Sequence, residues 1–221
     1  MEDRSGLLRA VDAAFAVTGA DTPPWPDPHE GREVRDEEYS RCLDPAKYRI
    51  LAARGDAWAK VLCERGLADP EPVPDAAACA SLWHRPPEVD VSSAVLLRPR
   101  RPDAVPLVLA HAAIDDVPRS LLVLGAGDPA VPLETVPDCG CDACDDGSAG
   151  ILEIVDEHVL AVVEGTFVYV DDGRGGRLLA TEDDGLSARD WDSGAHPVDK
   201  TLAEARAGRS PHYVLTGPAW A

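Results

Sequence analysis

Three cysteines and four aspartates share the eleven residues "PDCGCDACDDG", 137–147. Cys139, Cys141 and Cys144 stand on an irregular segment that Gly140 makes flexible. Thiolates so spaced suit zinc, which takes sulfur ligands in a tetrahedral shell. The neighbouring acids Asp138, Asp142, Asp145 and Asp146 bear on the choice between metal and redox chemistry. A dense negative field raises thiol pKa and opposes a reactive thiolate, yet it attracts a divalent cation that itself deprotonates the thiols. A closed structural site wants four donors, and no second Cys-x-x-Cys follows. Cys42, Cys63, Cys79, His158 or a nearby Asp are the candidates for the fourth place, and a water there leaves the site open. The plain alternative is an acidic surface loop that holds thiols and no metal.

Other motifs carry less. Gly125-x-Gly127 in "LVLGAGDPA" lacks the third glycine and the helix of a dinucleotide fingerprint, so it reads as a tight turn between strands. The six histidines show no metal-helix spacing. His158 falls on a helix just after the cysteine loop, and His111 in a strand-like apolar run reads as a core residue. The acid pairs Asp115–Asp116, Asp145–Asp146, Asp171–Asp172 and Asp183–Asp184 sit at expected turns, where Asp is a standard turn former. No nucleophile elbow, zinc-protease helix or phosphate-binding loop occurs.

The elements that must position these residues follow from periodicity. Leu7, Leu8, Val11, Ala14, Phe15 and Thr18 recur at helical spacing, between Ser5 as N-cap and Gly19 as stop. The prolines of residues 23–28 forbid a helix, and charges make 29–38 a solvated connector; Trp25 within it reads as a cover for an apolar patch. A second helix starts at Asp44–Pro45 and buries Tyr48, Leu51, Gly55, Trp58 and Leu62 on one stripe, ending at Gly66. "ADPEPVPDAA", 68–77, reads as another proline-rich connector. Short apolar runs then recur between turn residues, which predicts consecutive antiparallel strands. An amphipathic helix follows the cysteine loop, then a hairpin around Gly173, Gly175 and Gly176, and a polar tail with one short helix at 198–207. The expected fold is therefore α+β: an antiparallel sheet of about four to six strands, with N-terminal helices and the helix after the cysteine loop packed on it. The expected divisions are 1–37 (N-terminal helix and connector), 38–185 (main domain) and 186–221 (tail).

Composition bounds the function. With 45% hydrophobic residues in 221, the chain can bury a core; with 5% aromatic, that core is mostly Ala, Val and Leu. A net charge of −19 argues against binding nucleic-acid phosphates or an anionic membrane, and suits a basic protein partner or a metal ion. Neither a signal peptide nor an apolar span is visible, so the cytoplasm is expected and the cysteines are expected reduced or metal-bound.

Two segments carry a resemblance. "PDCGCDACDD" resembles the P-x-CGCDACDE signature of an actinobacterial family of unknown function, domain of unknown function 6226, with Asp146 in place of the glutamate. "EEYSRCLDPAKYRIL" is similar to that family's amino-terminal segment through Tyr39, Ser40, Arg41, Pro45, Tyr48 and Leu51. The resemblance implies an actinobacterial cytosolic protein whose cysteine loop is a family trait; it implies no activity. Three functions remain in view: a non-enzymatic binding or accessory protein with structural zinc or an acidic contact loop, a zinc enzyme with an open site, and a thiol switch through Cys141 and Cys144.

Overall fold

The computed structural model describes residues 4–181 and 185–221, so the Asp183–Asp184 pair lies outside the described residues. Two helices open the fold: α1 (Arg4–Thr18) and α2 (Arg49–Glu64), the latter entered through a 3-10 turn at Pro45–Tyr48. The strands β1 (Ala68–Val73), β2 (Ser93–Pro99), β3 (Leu107–Ile114), β4 (Val117–Gly127) and β5 (Ala130–Val136) form an antiparallel sheet in sequence order. The short helix α3 (Ala76–Ala80) sits between β1 and β2, and α4 (Ser148–Val163) follows the cysteine loop. Four short strands, β6 (Val168–Asp171), β7 (Arg177–Ala180), β8 (Leu186–Arg189) and β9 (Tyr213–Leu215), make a second antiparallel sheet in the order β8-β7-β6-β9, with α5 (Val198–Arg206) between its last two strands. The protein is α+β, with two sheets where the sequence suggested one.

The stripe on α2 explains the packing. Tyr48, Leu51, Trp58 and Leu62 are all buried, and Gly55 brings the helix down on Leu122 of β4, whose methyl would lie 3.5 Å from an added Cβ. Helices α1 and α4 flank α2, and Val11, Val155 and Val159 complete the same core. A buried guanidinium ties the three helices together. Arg54 donates through Nε and Nη2 to the two oxygens of Asp156 (2.8 and 2.6 Å), and through Nη1 to Asp12 (2.8 Å). The indole of Trp58 donates to the same Asp156 at 2.6 Å.

The opposite face of the first sheet is also covered, by Cys79, Leu82 and Trp83 against Leu96, Val108 and Val123. Coverage on both faces explains why β3 and β4 read as unbroken apolar runs rather than alternating ones. It also settles the paired glycines. Trp83 lies so close to Gly125 that a Cβ would sit 2.7 Å from the ring, and Gly127 turns the chain with φ +98°. The motif is a turn and a packing site, as expected.

The segment 68–77 departs from its reading as a connector. Ala68–Val73 is an edge strand paired with β2, with Pro70 opposite Leu97 and Pro72 opposite Val95. Two prolines spaced by two turn their missing donors to the same side, away from the neighbour, which an edge strand tolerates. The tail likewise holds more than its expected helix: residues 186–189 and 213–215 are the outer strands of the second sheet.

Candidate metal centre at the cysteine loop

The cysteine loop leaves β5 at Val136 and reaches α4 at Ser148, with a 3-10 turn at Asp142–Cys144. Gly140 passes against Ile114, whose Cδ1 would meet an added Cβ at 3.0 Å. Along this path the three thiols converge: their sulfurs lie within 4.8 Å of one another, with Cys139 and Cys141 at 3.2 Å. All three are free thiols, two exposed and Cys141 half-buried. Zinc–sulfur bonds of about 2.3 Å at tetrahedral angles set sulfurs about 3.8 Å apart, so the observed triangle fits the ion with small adjustments.

The loop is held from the other side by chain far away in sequence. Asp142 accepts from Nε of Arg41 (2.9 Å) and from the backbone of Leu43 (3.0 Å), while its own N–H donates to the Arg41 carbonyl (2.8 Å). Asp145 is buried and takes a hydrogen bond from the Trp25 indole (2.8 Å), one from the Gly147 backbone (3.0 Å), and an ion pair with Lys47. Lys47 also lies over the rings of Trp25 and Tyr48, 5.4 and 5.0 Å from their centroids. Ser148 and Trp25 exchange three further hydrogen bonds, two at the backbone N–H and carbonyl of Trp25 and one through the Ser148 N–H. Gly147 is required here: its φ is +87°, and a Cβ would lie 2.7 Å from the Asp27 nitrogen.

The proline-rich segment is thus no solvated connector at these points. Glu38 is buried and gripped end-on by Nη1 and Nη2 of Arg32, with both bonds at 2.9 Å, and accepts from the Arg35 backbone at 2.8 Å. Those bonds hold its carboxyl down to about 2. His29 is nearly buried, its Nδ1 3.1 Å from the Asp145 carbonyl oxygen. Trp25 meets Tyr48 edge-on at 5.6 Å and covers the core, as expected of it.

These contacts change the electrostatics expected of the loop. Asp142 and Asp145 are paired with Arg41 and Lys47 and are not the bare acids the sequence suggests. For Asp145, burial works against ionisation, but Lys47, Trp25 and the Gly147 N–H outweigh it and lower its pKa. The thiols differ among themselves. Burial opposes ionisation of Cys141, yet hydrogen bonds from Cys139, from Cys144 and from the backbone prevail, and its pKa falls. Cys144, donating to Cys141 and Cys139, is pushed up to about 12. One sulfur is the acceptor at the centre of two donors, where a uniform upward shift was expected.

The proposed fourth ligands lie elsewhere. Among the described residues, Cys42, Cys63, Cys79 and His158 do not join the sulfur cluster. Cys79 is buried under the first sheet, and His158 bonds through Nδ1 to the Ile154 carbonyl at 2.9 Å. His111 is a core residue, 3% exposed, whose burial lowers its pKa to about 4. Asp115 and Asp116 form the β3–β4 turn, both with positive φ, as turn-forming aspartates do. The contacts of Lys47, Trp25, Arg41 and Ser148 with this loop escaped the sequence reading. The one available signal was that Lys47 is among only three lysines, in a chain whose cations are mostly arginine.

Comparison with curated proteins and with solved structures gave no significant match. The family comparison is extensive: the model of a family of unknown function, DUF6226, matches residues 11–221, well beyond the two segments that first suggested it. The chain belongs to the DUF6226 family.

Proposed function

We propose that this protein is a non-enzymatic binding or accessory module whose cysteine loop holds a zinc ion through Cys139, Cys141 and Cys144. The observation that supports this reading is the convergence of three sulfurs within 4.8 Å on a loop pinned by Asp142 and Asp145. A backbone held in place before the ion arrives lowers the ordering cost of binding. The ion displaces the thiol protons, so binding is tighter at higher pH. With three protein sulfurs, the fourth position is left to water or to a group brought by a protein partner.

A hydrolytic zinc site needs an acid beside the metal-bound water. Asp142 and Asp145, two of the three acids directly adjacent to the thiols, are committed to Arg41 and to Lys47 and Trp25, which favours the accessory reading over the enzymatic one. Reduced thiols require a reducing compartment, and the cytoplasm is the proposed one. No helix among the described residues is long and apolar enough to cross a membrane.

The test is elemental analysis of untagged protein beside a Cys141→Ser/Cys144→Ser variant. About one zinc per chain in the parent and none in the variant is expected for a three-thiolate site. Metal-free parent with three titratable loop thiols overturns the reading and leaves an acidic contact loop.

A further inference from the structure

A cleft of about 140 Å³ lies between the two sheets, with Asp138 on its border. Its apolar wall is Leu133 of β5, Leu179 of β7 and the ring of Tyr169. Its polar wall is unusual. Arg177 and Arg189 stand directly opposite each other in the register of β7 and β8. Like charges in facing positions on a sheet repel. Here one carboxylate hydrogen-bonds to both: Oε1 of Glu88 accepts from Nη2 of Arg177 at 3.2 Å and from Nη1 of Arg189 at 2.6 Å, while Asp138 lies 3.9 Å from Nη2 of Arg189.

Glu88 is a loosely held occupant. Its side chain is 64% exposed, and it belongs to the loop before β2, outside both sheets. Arg177 in turn is underused. Its Nε is buried with no hydrogen-bond partner among the described residues, although Nε and Nη2 together form the edge that takes a carboxylate with two parallel bonds. Arg54 and Arg85 use that same edge fully, on Asp156 and Asp171. A buried donor left unpaired costs stability that an incoming acceptor restores.

We infer that this cleft is a binding site for a small organic monocarboxylate. The ligand's carboxylate takes the Nε–Nη2 edge of Arg177 and reaches Arg189, displacing Glu88. Its apolar body lies on Leu133, Leu179 and Tyr169. Glu134 and Asp138 also border the cleft, so with Glu88 displaced two cations face two anions. That balance admits a monoanion and disfavours a phosphate dianion. Glu88 then acts as a built-in competitor that sets the affinity.

The test measures benzoate and isobutyrate binding by NMR titration, with inorganic phosphate alongside, on the parent, Glu88→Gln and Arg189→Gln. Benzoate is expected to saturate the parent at millimolar concentration. Removing the competitor tightens it about tenfold, on the scale of one charge-assisted hydrogen-bonded pair. Arg189→Gln, at a half-exposed position that tolerates the change, loses the binding. Shifts map to Arg177, Tyr169 and Thr135. The proposal is overturned if neither carboxylate saturates the parent or Glu88→Gln, or if phosphate binds as tightly as benzoate. Should Glu88→Gln fail to fold, the parent's affinity and its loss in Arg189→Gln decide the matter. The cysteine variant retains benzoate binding, which keeps this result separate from that of the zinc test.

Discussion

Two acidic loops of this protein look alike in sequence and behave differently in the fold. "DCGCDACDDG" and "DDGRGG" both combine aspartates with glycines. In the second, the flanking Asp171 also pairs with a distant arginine, Arg85, but the tip is local: Asp172 turns the chain on itself, accepting from the Arg174 and Gly176 backbones at 2.7 and 2.9 Å. In the first, Asp142 and Asp145 reach Arg41, Lys47 and Trp25, about a hundred residues away in sequence. A local acid shapes only its own turn. A distant clamp fixes where the loop sits relative to the core, and that placement is what allows three thiols to form a preset site.

The sharpest way to break this contrast is Asp145→Ala. It strands the largely buried ammonium of Lys47 and the indole of Trp25, and should cost about 3–5 kcal/mol in chemical denaturation. Gly147→Ala attacks the same junction through the backbone, combining a left-handed φ with a contact on Asp27, and should cost about 2–3 kcal/mol. Its Trp25 fluorescence should shift to the red as the amino-terminal segment lifts away.

Acid removes the clamp by protonation. Asp145 and Glu38 both have folded pKa values below their ordinary ones, Glu38 at about 2. Their stabilisation is therefore complete above the ordinary carboxylate range and is lost as pH falls through the folded values. Stability measured from pH 5 down to pH 2 should drop, and Asp145→Asn should flatten part of that fall. Asp172→Ala is the contrasting small effect, about 1 kcal/mol for a local turn, with zinc binding unchanged.

Periodicity made α1, α2, α4 and the strands β2 to β5 legible, because each buries an apolar face; the five-residue α3 was too short to show one. The stripe of Tyr48, Leu51, Trp58 and Leu62 is the clearest case. It failed at β1, where Pro70 and Pro72 mimic a connector although an edge strand has a free side for them. It failed also for β8, whose four residues are all exposed and show no alternation. At the site, the thiols could be found from spacing alone. Their partners could not: nothing local in "PPWPDPHEG" says that Trp25 and His29 lie on the cysteine loop, since those contacts join residues 120 and 116 apart in sequence.

X-ray absorption at the zinc edge of the purified protein tests the central claim most directly. The account predicts three sulfur scatterers at about 2.3 Å and one lighter atom at about 2.0 Å. A shell of oxygen and nitrogen alone, or no zinc to measure, would contradict it.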